Sequence, residues 1–225
     1  MSKIIFWDWT GTLADESRLD EAVCLSLEKD IAAKRNIPVA EAKGLFNDRL
    51  KAVEHTWQWH DYVQHGKDFE VDWRHSQEIH LDKLLLVPHA REILAYAKSK
   101  GYLNVLVTNA VREVVSLRAE HVGLLHMFEE VIASSDMKAL KAEGKHFAYG
   151  LQYLGGDPKK SFSVGDNPVQ DIQPAKKLGV KTIFCDFGDK LVHYHSEHIA
   201  NNHGEASHAD YTIKSLQEIE KIIQK

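Results

Sequence analysis

The chain has little cysteine, no long apolar run and no surplus of positive charge. Its two cysteines, Cys24 and Cys185, stand far apart among 225 residues. That excludes a disulfide framework and a cysteine-rich zinc site, and it fits a reducing compartment. No window approaches the roughly 18 apolar residues of a membrane span. The opening MSKIIFWDW holds too short an apolar run for a secretory leader, and Asp8 interrupts it. The formal net charge is −5, so general attraction to nucleic acid or a membrane is disfavoured. With 44% hydrophobic and 27% charged residues the composition is that of a globular protein, not of a disordered, collagenous or coiled-coil chain. A folded cytoplasmic protein is expected, with neither nucleic acid nor membrane as partner. Oligomeric state is not legible.

What is present is an alternation of strand and helix. Mostly apolar runs predict buried strands at Ile4–Trp7, Leu103–Val107, Glu130–Ala133, Ser161–Val164 and Lys181–Cys185, with Tyr211–Ile213 ending the sheet. Helix-period segments lie between them at His89–Lys100, Val111–His121, Lys145–Leu154 and Gln170–Leu178. Gly101 and Gly179 stand just past two of these, where a helix-ending glycine belongs. This rhythm predicts an α/β fold with a doubly wound parallel sheet. One stretch breaks it. From 15 to 86 the sequence is polar and helical, with amphipathic segments at Leu19–Ala33, Ala40–Val53 and Ser76–Leu86 and turns at Asn36–Pro38 and His65–Lys67. It is read as a helical cap subdomain inserted into a core made of 1–14 and 87–225.

Ligands of such sheets bind beyond the carboxyl ends of the strands. There the sequence places Asp8-Trp9-Thr10-Gly11-Thr12 after the first strand and Thr108-Asn109 after the second. Lys141 sits in the loop after the third, and Gly165-Asp166-Asn167 follows the fourth, with Asp171 a short way on. Clustered carboxylate oxygens suit a hard cation such as Mg²⁺. A lysine and backbone amides suit phosphate, and a strand-end aspartate can act as a nucleophile.

These residues, in this order, resemble the haloacid dehalogenase superfamily of aspartate-nucleophile hydrolases over essentially the whole chain. The family's strand followed by D-x-D-G-T is similar to Ile4 through Leu13, and its strand ending in Thr or Ser to Val105 through Asn109. Its lysine is similar to Lys141, and its acidic motif to Val164-Gly165-Asp166-Asn167-Pro168-Val169-Gln170-Asp171. The resemblance implies a Rossmann-like core whose Asp8 forms a covalent intermediate. Asp8, the Thr10 carbonyl and Asp166 would hold Mg²⁺, backed by Asp171. Gly11, Thr12, Thr108 and Asn109 would contact substrate, and Lys141 would neutralise charge between Asp8 and phosphate. Each has a plainer structural counterpart: Lys141 as a solvated lysine beside Lys138 and Lys145, Asp171 as a helix cap. Their shared position at strand ends argues against coincidence.

One residue departs from the pattern. The family's phosphatases carry a second aspartate where this chain has Thr10, and a hydroxyl does not titrate near neutral pH. The expected activity is therefore Mg²⁺-dependent hydrolysis of a small phosphorylated metabolite, with three alternatives. Trp9 is similar to the motif of phosphonoacetaldehyde hydrolases, in which a cap lysine, here Lys51, would form a Schiff base. A dehalogenase reading lacks the family's tyrosine variant and an obvious halide-binding arginine. The third is a phosphate-binding protein with low turnover. Two compositional features carry no assigned chemistry. Trp57 and Trp59 would point roughly 200° apart on a helix, and cap packing is the expected role. His193, His195, His198, His203 and His208 crowd one segment, read as a polar surface loop although His195 and His198 could flank a transition metal.

Overall fold

A computed structural model describes residues 1–188 and 208–224. The chain opens with β1 (Lys3–Trp7) and the short β2 (Ala14–Asp15). Four helices follow: α1 (Ser17–Arg35), α2 (Val39–Ala52), α3 (Tyr62–Phe69) and α4 (Trp73–Glu78). Then β3 (Leu85–Leu86) returns to pair antiparallel with β2, Ala14 opposite Leu86. Strands and helices alternate from there: α5 (Ala90–Ser99), β4 (Tyr102–Thr108), α6 (Arg112–His121), β5 (Glu130–Ala133), the single turn α7 (Ser134–Met137), α8 (Lys145–Tyr153) and β6 (Phe162–Gly165). They end with α9 (Gln173–Lys177), β7 (Lys181–Cys185), β8 (Tyr211–Ile213) and α10 (Ile219–Ile223).

Six strands form one parallel sheet in the order β5-β4-β1-β6-β7-β8. This is the doubly wound, Rossmann-like core that the sequence predicts. The chain steps outward from β1 on one side and then on the other, so β1 lies at the switch point where a ligand crevice opens. Period-2 alternation divides the strands between two apolar layers. Ile4 and Phe6 of β1, with Val105 and Val107 of β4, meet Phe147 of α8 and Ala175 of α9. Ile5, Trp7 and Leu106 face the other way, into a larger cluster with α5, α6 and α10.

That larger cluster continues without a break into the inserted helices. α1 buries Leu19, Val23, Leu27 and Ile31, four residues apart and hence on one face. Asn36, at φ 52°, ends α1 in the left-handed region, and Gly101 (φ 78°) and Gly179 (φ 81°) follow α5 and α9 as expected.

The inserted segment also differs from its sequence reading in three places. The turn expected at His65–Lys67 lies inside α3, because Asp61 accepts from the Gln64 amide and starts a helix there. The helix expected over Ser76–Leu86 starts at Trp73, capped by Asp72. It stops at Glu78 because Leu85 and Leu86 leave to pair with β2. Trp57 and Trp59 lie on a single 3₁₀ turn, Trp57–His60, not on an α-helix. His193, His195, His198 and His203 lie outside the described residues.

Candidate active site

The site is assembled at the carboxyl ends of β1, β4 and β6. Asp8 leaves β1 with its backbone N–H still donating to the Val164 carbonyl of β6 at 2.9 Å, which fixes the start of its loop. The loop closes on itself: Leu13 and Ala14 both donate to the Trp9 carbonyl. Gly11 adopts φ +79°, and a Cβ there would stand 2.2 Å from a carboxylate oxygen of Asp166. Only glycine admits both the backbone conformation and the neighbouring acid. Thr12 is buried and its hydroxyl donates to Asp8 Oδ2 at 3.1 Å.

Asp166 and Asp171 come from the loop and π-helical turn after β6. Asn167 starts that turn by accepting from the Val169 and Gln170 amides. Its own N–H donates to Asp171 Oδ2, and Ser163 donates to the Asp171 carbonyl. A Cβ on Gly165 would lie 2.2 Å from the Asp171 carboxyl carbon, so this glycine too makes room for an acid.

Oxygens of Asp8, Asp166 and Asp171 thus lie within 4.8 Å of one another. Among the described residues, one cation stands against them. Lys141 Nζ donates to Asp8 Oδ1 at 2.5 Å and to Asp171 Oδ1 at 2.6 Å, with its side chain almost wholly buried. Burial opposes the ammonium charge, but Asp171 and Asp8 outweigh it and hold Lys141 protonated above its ordinary range. One lysine does not balance three acids. Burial, then the Asp8 and Asp171 charges, push the Asp166 carboxyl well up. Burial and Asp8 raise Asp171 to about 7, although Lys141 pulls the other way. An all-oxygen, electron-rich cluster of this kind fits a hard divalent cation, which would supply the missing positive charge.

The backbone that carries Lys141 is held from two sides. Asn109 Oδ1 accepts from the Lys141 N–H at 2.9 Å, and Gln170 Oε1 from the Ala142 N–H at 2.9 Å. Behind them, buried Ser134 donates to Asn109 and contacts His146 Nε2 at 3.1 Å. His146 is fully buried, and its Nδ1 has no hydrogen-bond partner. Burial, aided by the Lys141 charge, pushes it down to about 4, so it is neutral at physiological pH. Thr108 is buried at the end of β4, its hydroxyl accepting from the Ala110 N–H. The strand-end residues Asp8, Gly11, Thr12, Thr108, Asn109, Lys141, Asp166 and Asp171 therefore lie along this rim, whereas Lys51 lies exposed near the end of α2. The Asn109 side chain, however, is spent on positioning Lys141.

Sequence reasoning missed a second group beside Thr10. The exposed Thr10 hydroxyl donates to Glu16 Oε2 at 2.6 Å. The Trp9 indole N–H donates to Glu16 Oε1 at 2.6 Å, and Arg118 Nη1 lies 2.9 Å from the same oxygen. Arg118, on α6 of the core, also donates to Asp20 of α1 at 2.7 Å and to Gln77 of α4 at 2.8 Å. The Tyr62 hydroxyl of α3 donates to Asp20. The available signal was a charge on an apolar stripe: Arg118 shares the buried face of α6 with Val114, Val115 and Ala119.

Comparison with known proteins gives the arrangement a family. A model of the haloacid dehalogenase-like hydrolases matches residues 2–179, and a related hydrolase model matches residues 140–219. The chain is 27% identical over 237 aligned residues to a glyceraldehyde 3-phosphate phosphatase of Pyrococcus furiosus, covering 99% of this chain and 93% of that one. It is 32% identical over 103 residues to a phosphoserine phosphatase of Thermus thermophilus, covering 46% of this chain and 41% of the relative. Among solved structures it is similar to a HAD phosphatase from Thermococcus onnurineus. That match has a TM-score of 0.81 and 26% identity, over 98% of this chain and 97% of the other. The strand-end acids, the lysine between them and the match over most of the chain agree: this protein belongs to the haloacid dehalogenase-like hydrolase family.

Proposed function

We propose that the protein is a phosphatase of small phosphorylated metabolites in which Asp8 is the nucleophile. The observation that carries this reading is the Lys141 ammonium bridging Asp8 and Asp171 inside a cluster of three acids. Relatives named as phosphatases of glyceraldehyde 3-phosphate, phosphoserine and phosphoglycolate support the substrate class.

The main obstacle to attack on a phosphate ester is repulsion between two anions. Lys141 reduces it at the Asp8 oxygen to which it donates, and Thr12 orients the other oxygen. Thr108 and the backbone at Asn109 stand where transferring phosphoryl oxygens would lie. Asp8, the Thr10 carbonyl and Asp166 would hold Mg²⁺, with Asp171 behind them and in contact with Lys141. When bound, the ion supplies positive charge that offsets the remaining repulsion. Residues 15–86 form the cap in this reading, entered and left through the β2–β3 ribbon, and they shield Asp8 from bulk water. Lys51, which a Schiff-base route would need, is exposed near the end of α2.

The test is hydrolysis of an aryl phosphate with and without Mg²⁺, for wild type and for Asp8→Asn. The reading predicts Mg²⁺-dependent turnover that Asp8→Asn lowers by at least about a thousandfold. Wild-type turnover that persists in Asp8→Asn would contradict it.

A further inference from the structure

The residue that departs from the family pattern, Thr10, is held by a buried carboxylate, that of Glu16. Thr10 follows Asp8 by two positions, and its neighbour Gly11 lies directly against the Asp166 carboxylate, so Thr10 borders the cluster. Thr10 itself is exposed, while its partner Glu16 is only 3% exposed. Glu16 is in turn held by the Trp9 indole and by Arg118, both buried. A carboxylate that receives donors on both oxygens has a fixed orientation, and here the short bond to Thr10 fixes the hydroxyl rotor.

We infer that Glu16 is a positioning residue that fixes Thr10 as a hydrogen-bond acceptor for the water attacking phosphorylated Asp8. This rests on the proposed phosphatase reading. With its proton committed to Glu16, the hydroxyl of the exposed Thr10 offers only lone pairs to a water molecule. A water molecule that donates one hydrogen to Thr10 Oγ1 has its own lone pair free for phosphorus. The water oxygen bonds phosphorus as the Asp8 oxygen–phosphorus bond breaks, and Asp8 leaves as carboxylate. Both water hydrogens remain on the departing dihydrogen phosphate, so no titrating group is required at position 10. A threonine can thus orient the attacking water where related phosphatases place an acid.

Isosteric substitutions separate this role from packing. In Glu16→Gln, the oxygen that accepts from Trp9 and Arg118 is retained. The amide nitrogen then faces Thr10 and donates to it, which turns the Thr10 hydroxyl proton toward that water. Thr10→Val removes the acceptor without altering shape, and Thr10→Ser keeps both the hydroxyl and its bond to Glu16. The experiment is rapid-quench measurement of phosphoenzyme formation and breakdown with an aryl phosphate and Mg²⁺. Glu16→Gln and Thr10→Val are each expected to slow breakdown by about ten- to a hundredfold. Formation should slow less than breakdown, and Thr10→Ser should keep most of the breakdown rate that Thr10→Val loses. The double variant should be no slower than Thr10→Val alone, because both changes remove one interaction. Wild-type breakdown in Thr10→Val overturns the inference, and so does a Thr10→Ser defect as large as that of Thr10→Val. Because Thr10 is exposed, these two variants decide the matter even where Glu16→Gln does not fold. Absence of any phosphoenzyme in wild type overturns the phosphatase mechanism itself, whereas a phosphoenzyme whose breakdown ignores position 10 overturns only the water-orienting role of Thr10 and Glu16.

Discussion

The carboxyl edge of the sheet and the helical insertion both bury several charges, and they treat them in opposite ways. At the sheet edge three acids face one lysine, and two of them respond by rising far above the ordinary carboxylate range. Where the insertion meets α6, Glu16 and Asp20 share Arg118, and Trp9, Thr10 and Tyr62 supply further donors. There burial disfavours the Arg118 charge, but Asp20 and Glu16 outweigh it and the guanidinium stays protonated. The first cluster is electrostatically incomplete and calls for a ligand. The second is nearly complete and joins two parts of the fold. Buried charge therefore has two meanings, and the balance of partners tells them apart.

Substitutions break this comparison in a graded way. The largest effect belongs to the incomplete cluster. Asp8→Asn should abolish phosphatase turnover while leaving the melting temperature at or above that of wild type, because it removes one of three repelling acids. Calorimetry beside the activity assay reads both. The complete cluster should behave in reverse: Arg118→Leu leaves Glu16 and Asp20 buried without their cation. It should cost about 3–5 kcal/mol in chemical denaturation.

His146 gives a pH-dependent effect behind the site. Its folded-state value of about 4 lies below the 6.5 of the unfolded chain, so the unfolded state takes up the proton first. Its contribution is intact above about pH 6.5 and is lost as pH falls toward 4, on the order of 3 kcal/mol at the acid end. His146→Gln should flatten the stability curve across that window, and denaturation at pH 7 and pH 4.5 measures the difference. The smallest effect lies at the contact between insertion and core outside both clusters. Lys138 Nζ sits 4.2 Å from the centre of the Trp57 ring, and Lys138→Met should cost only about 0.5–1 kcal/mol.

The same contrast explains what the sequence could reveal. The strands of the sheet and the rim residues follow from local signals: an apolar run, then a glycine, an acid or a hydroxyl at its end. Gly11 and Gly165 are legible as glycines just past or at a strand end, and the structure adds the acid each makes room for, Asp166 and Asp171. The insertion is fixed by longer-range pairing. Leu85 and Leu86 look helical until β2 is there to pair with them, and His65 sits within α3 because Asp61 begins that helix. Glu16 escaped notice because its meaning depends on Arg118, far away in sequence but 2.9 Å away in space. Asn109 shows the same limit within the site, since its partner Lys141 arrives from another loop.

The central claim is that Asp8 carries the phosphoryl group. Its most direct test is acid-quenching wild-type protein during turnover of an aryl phosphate with Mg²⁺, followed by peptide mass mapping. The account predicts one added phosphoryl group on the peptide containing Asp8, labile to hydroxylamine and absent in Asp8→Asn. Steady turnover with no phosphorylated peptide at any quench time, or a phosphoryl group on another residue, would contradict it.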